Sequence, residues 1–108
     1  MSKRKMYASI VCADGFRMSV QASETSYCTP RTNQATKYSA VEVGFPSEEE
    51  PLIMEYAEDP QNPRDTVYAW VPSTVVTTVI AKHGGVIEGE APPGVALLEA
   101  IKNVDMQV

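Results

Sequence analysis

The chain has 108 residues, a length typical of one domain. Hydrophobic residues make up 44% of the sequence and charged residues 21%, which excludes an intrinsically disordered chain. Apolar stretches of only a few residues exclude a membrane-spanning helix, and two cysteines are too few for a disulfide framework. The basic residues 1–6 lack the apolar segment of a secretion signal. We therefore expect a small, soluble protein of a reducing cytosol.

The net charge of −5 is unevenly distributed along the chain. Residues 1–37 carry six bases and two acids, which gives +4, whereas residues 38–65 carry eight acids and one base, which gives −7. Binding to nucleic acid requires clustered Lys and Arg side chains that neutralise phosphates. The sequence therefore predicts no direct nucleic-acid partner.

Residues 5–23 have the pattern of a β-hairpin. Two short β-prone runs flank Asp14-Gly15, a dipeptide typical of hairpin turns. In the second run, Phe16, Met18 and Val20 alternate with polar residues, so one face of the hairpin is expected to pack on a core.

Two further strands are predicted at residues 38–45 and 66–71. In the first, Val41, Val43 and Phe45 share one face and should pack on the core. In the second, Tyr68 and Trp70 are both expected in the core.

The segment between these strands is ambiguous. Ser47 and Glu50 have the spacing of a helix capping box, but Pro51 follows at once. We expect a short turn at 47–50 and then an extended segment over 52–56, with a helix as the alternative.

A helix is predicted after Pro72, with Ser73 as its N-cap. Apolar residues recur at helical spacing up to Ile80, and Gly84 is suited to the position just after the C-terminus. The β-branched residues in this stretch leave a strand as the alternative.

A short terminal helix is predicted over residues 95–104. It is too short to be stable alone, so it should dock on the domain or on a second copy, which would give a homodimer. The fold class is α+β: an antiparallel β-sheet of four to five strands packed by one or two α-helices. Residues 1–87 would form a single domain, 88–94 an acidic Pro/Gly connector, and 95–108 the terminal helix and tail.

Catalysis is not expected. Cys28 with His83, the only histidine, is the one candidate nucleophile and base, but the surrounding sequence has no cysteine-enzyme signature. One histidine and two separated cysteines also lack the spacing of a zinc site, and no Gly-rich phosphate-binding motif is present. The sequence therefore predicts no metal and no cofactor, and it leaves open whether Cys12 and Cys28 meet.

A polar pocket on the outer sheet face is one candidate binding site. If the strands at 16–22 and 38–45 pair, the polar residues of both would share that face. The candidate ligand-binding residues are Gln21, Tyr27, Arg31, Tyr38 and Glu42. The alternative is an ordinary solvated sheet face.

The acidic stretch 48–59 is the most distinctive feature of the sequence. It mixes carboxylates with apolar side chains, a combination typical of docking on a basic protein surface. The candidate partner-binding residues are Glu48, Glu49, Glu50, Leu52, Met54, Glu55, Tyr56, Glu58 and Asp59. The alternative is a solvated charge run that protects a sheet edge.

Several stretches share a pattern with one group of proteins: DGFRMSVQAS (14–23), YCTPR (27–31), VEVGFPS (41–47), TVY and VP (66–68 and 71–72) and KHGG (82–85). Their order resembles small uncharacterised proteins of tailed bacteriophages and prophages of Gram-negative bacteria, over roughly residues 7–85. The resemblance implies a phage protein made in the host bacterial cytoplasm and no particular activity.

Three functions follow as hypotheses. The first is a non-enzymatic phage accessory protein that binds and inhibits or redirects a host protein, such as a nucleic-acid-binding or defence complex (an anti-CRISPR-like inhibitor). The second is a small-molecule or nucleotide binding or sequestering protein that uses the sheet-face pocket. The third is a structural or assembly component of the virion, self-associating through residues 95–104.

Overall fold

The computed structural model describes residues 5–100. They form an α+β fold, as the sequence predicted, with a five-stranded antiparallel sheet of order β4-β3-β2-β1-β5. The elements are β1 (Ile10–Cys12), β2 (Arg17–Gln21), β3 (Ala40–Gly44), a 3-10 helix (Pro51–Tyr56), β4 (Val67–Pro72), α1 (Ser73–Lys82) and β5 (Val86–Glu88).

The predicted hairpin is confirmed as β1 and β2. Ile10 lies opposite Met18, and the turn between the strands is closed by Asp14, whose Oδ1 accepts the Phe16 backbone N–H at 2.9 Å. Gly15 has a φ of +95°, a conformation that a residue with a side chain rarely adopts.

One face of the sheet forms the core. Its buried side chains join Ile53 of the 3-10 helix and three residues of α1, Val76, Val79 and Ile80, in a single cluster. Tyr38 and Tyr68 are fully buried in this cluster, and their hydroxyls donate to the Thr32 and Pro63 carbonyls at 2.6 and 2.5 Å. The predicted core position of Tyr68 is confirmed.

The extended segment predicted over 52–56 is wrong, because this stretch is a 3-10 helix. Pro51 occupies its first turn, where the missing N–H of proline has no helical partner to lose. Glu50 caps the helix through Oε2, which accepts the Leu52 N–H at 2.9 Å. Ser47 instead docks on β2, where its Oγ accepts the Arg17 N–H at 3.0 Å.

Helix α1 is confirmed, but its predicted N-cap is wrong. Ser73 is the first helical residue, and its hydroxyl donates 2.7 Å to the Tyr38 carbonyl rather than capping the helix. The chain leaves the helix through His83, followed by Gly84 at φ +92°.

Phe45 and Trp70 lie outside the core, contrary to prediction. Phe45 is 58% exposed and Trp70 is 47% exposed. Their φ angles are +50° and +51°, in the left-handed region. Successive side chains of a regular strand point to opposite faces of the sheet, but a residue in the left-handed conformation interrupts this alternation. The side chains of Phe45 and Trp70 therefore do not point to the core face that the sequence pattern predicts.

The predicted terminal helix is wrong over 95–100, and residues 101–104 lie outside the described residues. Residues 95–100 are not helical, and Glu99 forms a parallel bridge with Val86 of β5. The preceding residues lie against the domain, since the Tyr38 N–H donates to the Pro93 carbonyl at 2.8 Å.

Across residues 5–100, no helix combines the length and the apolar character needed to cross a membrane.

Candidate functional site

An ionic cluster, in which Glu50 and His83 are buried and Asp14 and Lys82 are half-exposed, joins three distant parts of the chain at the C-terminal end of α1. The His83 ring lies between two carboxylates, with Nδ1 2.6 Å from Asp14 Oδ2 and Nε2 2.6 Å from Glu50 Oε1. Phe16 stacks on the ring at a centroid distance of 4.0 Å and an angle of 11°. The hairpin turn, the 3-10 helix and α1 are therefore tied together by one imidazole.

Glu50 is the most buried member of this cluster, with only 1% of its surface exposed. Oε1 contacts His83, whereas Oε2 accepts both from Lys82 Nζ at 2.8 Å and from the Leu52 N–H at 2.9 Å. A buried carboxylate is tolerated where positive charges and hydrogen bonds surround it. Glu50 therefore holds the first turn of the 3-10 helix against α1.

The pKa values of the cluster move together to favour its charged form. Burial lowers the pKa of His83, but hydrogen bonds to Glu50 and Asp14 outweigh burial, so it lies above its ordinary value. Burial raises the pKa of Glu50, but Lys82, the Leu52 N–H and His83 more than offset this, and it lies below its ordinary value. The Phe16 N–H, followed by His83, lowers the pKa of Asp14.

This arrangement is suited to structural support rather than to proton transfer. Both ring nitrogens of His83 are engaged by carboxylates, so neither is free to accept a proton from a substrate. Among residues 5–100, no group of three or more His, Cys, Asp or Glu side chains is placed to hold a metal ion. The cluster sets the position of the segment that follows Glu50.

Cys28 and His83 are not hydrogen-bonded to each other. The Cys28 thiol donates to the carbonyls of Ser23 and Pro30 at 3.2 and 3.4 Å, and burial raises its pKa. Cys12 and Cys28 are both buried free thiols.

The acidic segment divides into one buried residue and an exposed set. Glu50 is buried in the ionic cluster, so the prediction that it contacts a partner is wrong. Leu52 is 40% exposed, and Met54 and Tyr56 are half-buried. We call the following exposed residues the acidic surface: Glu48, Glu49, Leu52, Glu55, Glu58 and Asp59.

The carboxylates of the acidic surface have no cationic partner within the described part of the chain. The salt bridges there involve Glu90, Glu50 and Asp14, and none of the five acidic-surface carboxylates. The surface is nevertheless anchored at both ends. Glu50 fixes one end, and at the other the Glu58 N–H donates to the Val67 carbonyl at 3.0 Å.

The structure separates Tyr38 from the other candidate ligand-binding residues. The two strands pair, and Gln21 lies opposite Glu42 in the β2–β3 pair, so the two residues share one sheet face and both line a cavity of about 220 Å³. Tyr38 is fully buried and belongs to the core, so its predicted place in the pocket is wrong. The Tyr27 N–H donates to Glu42 Oε1 at 2.9 Å, and the Arg31 guanidinium lies 5.5 Å from the Tyr27 ring centroid.

Sequence reasoning missed two features of these sites. Asp14 is visible as a turn residue, but nothing local indicates that it binds His83, 69 positions away. Trp70 is expected inside, yet its ring lies outside, 5.0 Å from that of Tyr27. A β-bulge in β4 places it there, and no residue pattern marks that bulge.

Comparisons with protein-family models, with curated proteins and with solved structures found no match to this chain.

Proposed function

We propose that this protein is a non-enzymatic binding protein that docks through its acidic surface on a basic surface of another protein. One observation carries the proposal: five exposed carboxylates, which form no salt bridge within residues 5–100, lie on and beside a helix that Glu50 anchors and that exposes Leu52. Charge would steer association, and Leu52 would supply apolar contact at short range.

Rigidity strengthens this proposal. Association is less costly when the docking segment is already ordered, because less conformational entropy is lost on binding. The 3-10 helix is fixed to α1 through Glu50 and to β4 through a bridge between Ala57 and Tyr68. A run of carboxylates that only kept the protein soluble would not need such anchoring.

The proposed partner is a host protein, and the proposed setting is the cytoplasm of a bacterium that carries a phage or prophage. This part rests on the resemblance of residues 7–85 to small phage proteins. A host protein that handles nucleic acid presents the basic surface that the acidic surface would complement. Occupying that surface would inhibit or redirect the host protein, as an anti-defence protein does.

Two charge-matched variants test the proposal. One reverses Glu48, Glu49 and Glu55 to Lys, and the control reverses Glu24, Glu88 and Glu99, which are exposed elsewhere. Both triple variants change the net charge from −5 to +1, since each reversal adds two units. Glu50 is left intact because it supports the fold.

Wild type and both variants would be used to capture proteins from a bacterial lysate, and the captured protein would then be purified for affinity measurements. We expect one stoichiometric partner that the control variant retains, that the acidic-surface variant binds at least about tenfold more weakly, and whose affinity falls as salt rises. Equal retention by both variants, or equal loss, would contradict docking through this surface.

A further inference from the structure

Trp70 is exposed on the sheet at a conformational cost. In the β3–β4 pair, Val43 lies opposite Tyr68 and Val41 opposite Val71, so Ala69 and Trp70 together face the single residue Glu42. This bulge gives Trp70 a φ of +51° and leaves 47% of it exposed. A bulky residue in the left-handed region is uncommon, and such strain concentrates at functional sites.

The Trp70 ring is held against a second aromatic side chain. Its centroid lies 5.0 Å from that of Tyr27, at an interplanar angle of 38°. The backbones are also joined, because the Trp70 N–H donates to the Tyr27 carbonyl at 3.1 Å. On its other side, the Tyr27 N–H donates 2.9 Å to Glu42 Oε1. The two rings are therefore positioned by main-chain bonds and not by side-chain packing alone.

Arg31 adds a positive charge beside these rings. Its guanidinium lies over the Tyr27 ring at 5.5 Å and, among the described residues, has no carboxylate partner. The side chain is exposed, so its N–H donors are available to an anion. Trp70, Tyr27 and Arg31 thus combine an aromatic face with a cation that forms no salt bridge in the part of the chain that the structure describes.

We infer that Trp70, Tyr27 and Arg31 form a binding site for a nucleoside monophosphate. The base stacks on the exposed indole face of Trp70, and the phosphate accepts hydrogen bonds from Arg31. Aromatic rings and guanidinium groups recognise bases and phosphates in this way. The centroid of the Trp70 ring lies 5.0 Å from that of Tyr27, and the Arg31 guanidinium lies 5.5 Å from the same Tyr27 centroid. The distance between the Trp70 ring and the guanidinium therefore cannot exceed the sum of these two values, and one nucleotide can bridge it.

A free nucleotide fits this site better than a nucleic-acid strand. The protein carries a net charge of −5, and within residues 5–100 the cation placed over the Tyr27 ring is that of Arg31. A polyanion needs a continuous row of cations, whereas one phosphate needs one. The inference goes beyond the proposed docking function, because none of its residues belongs to the acidic surface.

The fluorescence of Trp70 gives a direct measurement, since it is the only tryptophan in the chain. The full-length protein would be titrated with adenosine monophosphate, with adenosine and with ribose 5-phosphate. We expect saturable quenching by adenosine monophosphate, quenching at about tenfold higher concentration by adenosine, and none by ribose 5-phosphate. Absence of saturable quenching by the nucleotide would overturn the inference.

Variants that retain Trp70 distinguish the contribution of the phosphate contact from that of base stacking. Arg31→Gln should weaken binding of adenosine monophosphate about tenfold and leave binding of adenosine unchanged. Lys37→Gln, which removes another exposed cation of the same loop, should change neither. Tyr27→Leu should weaken both ligands. Equal effects of Arg31→Gln and Lys37→Gln would mean that Arg31 does not contact the phosphate.

The variant Glu42→Gln tests whether the ligand is an anion or a cation. Glu42→Gln retains an oxygen for the Tyr27 N–H but removes a negative charge next to the site, so an anionic ligand should bind several-fold more tightly. Weaker nucleotide binding in this variant, or competition by tetramethylammonium, would instead indicate a site for cations. Tighter binding of a thymidine oligonucleotide than of the mononucleotide would overturn the free-nucleotide assignment in favour of a strand.

Discussion

Glu50 Oε1 and His83 Nε2 lie 2.6 Å apart, and both residues are more than nine-tenths buried. This contact joins the first turn of the 3-10 helix to the end of α1, and Asp14 extends it to the β1–β2 turn. A histidine held by two carboxylates makes the charge state of one ring a determinant of how three segments pack. The packing of the segment that carries the acidic surface therefore depends on pH.

The first prediction concerns the pH dependence of stability. The pKa of His83 is raised above 6.5, so its contribution is complete below about pH 6.5 and is lost as pH rises through the raised value. The pKa values of Asp14 and Glu50 are lowered from 3.8 and 4.5, so their contributions are complete above about pH 4.5 and are lost in acid.

Urea unfolding should therefore show maximal stability between about pH 5 and 6.5 and a decline on both sides. An NMR titration of the His83 ring would measure its raised pKa directly. His83→Gln, which removes the titrating ring, should flatten the decline above pH 6.5. A decline of equal size in this variant would place its origin in other groups.

The second prediction separates Glu50 from its exposed neighbours. Glu50→Gln leaves Lys82 and His83 without their buried counter-charge and should lower the free energy of unfolding by about 3 kcal/mol. Glu48→Gln and Glu49→Gln, which change exposed residues, should shift it by less than about 0.5 kcal/mol. Chemical denaturation measures all three variants, and a similar small effect in each would contradict the buried position of Glu50.

The sequence predicts the local parts of this fold well because their signals are local. The Asp14-Gly15 turn lies between alternating strands, and α1 has apolar residues at helical spacing. The ionic cluster could not be predicted, since Asp14 and His83 are 69 positions apart and only the finished packing brings them together. Glu50 stands in a run of three glutamates, and nothing in that run indicates that Glu50 turns inward, where it caps the 3-10 helix, while Glu48 and Glu49 stay exposed.

The exposed aromatic residues were mispredicted for a different reason. The two-residue period assigns Phe45 to the inner face and gives no sign that Trp70 is exposed. Both assignments require an unbroken strand, yet each residue has a positive φ, and Trp70 belongs to a bulge. A bulge is set by the register between two strands, which one strand's sequence does not specify.

The third prediction concerns the two thiols. Burial, followed by the charge of Asp14, raises the pKa of Cys12 to about 11, and burial raises that of Cys28. At pH 8 the native protein should react with a thiol reagent more than about a hundredfold slower than a free cysteine, because thiolate is scarce and access is blocked. Both thiols should react in urea. In Cys28→Ser only Cys12 remains, so the reaction rate of this variant is the rate of Cys12. Rapid reaction of the native protein would contradict the burial of the thiols.

The fourth prediction concerns Phe45, which is exposed and has a φ of +50°. Phe45→Gly removes a large side chain, yet the free energy of unfolding should stay the same or rise by up to about 1 kcal/mol, because glycine adopts the left-handed conformation without steric cost. Phe45→Ala deletes nearly the same side chain but keeps the β-carbon, so it should be about 1 kcal/mol less stable than the glycine variant. The backbone bond from residue 45 to the Thr66 carbonyl is available in both variants. Urea denaturation of the pair would measure the difference; equal stability of the two would show that residue 45 is not strained, and a large loss in both would show that the ring packs on the domain.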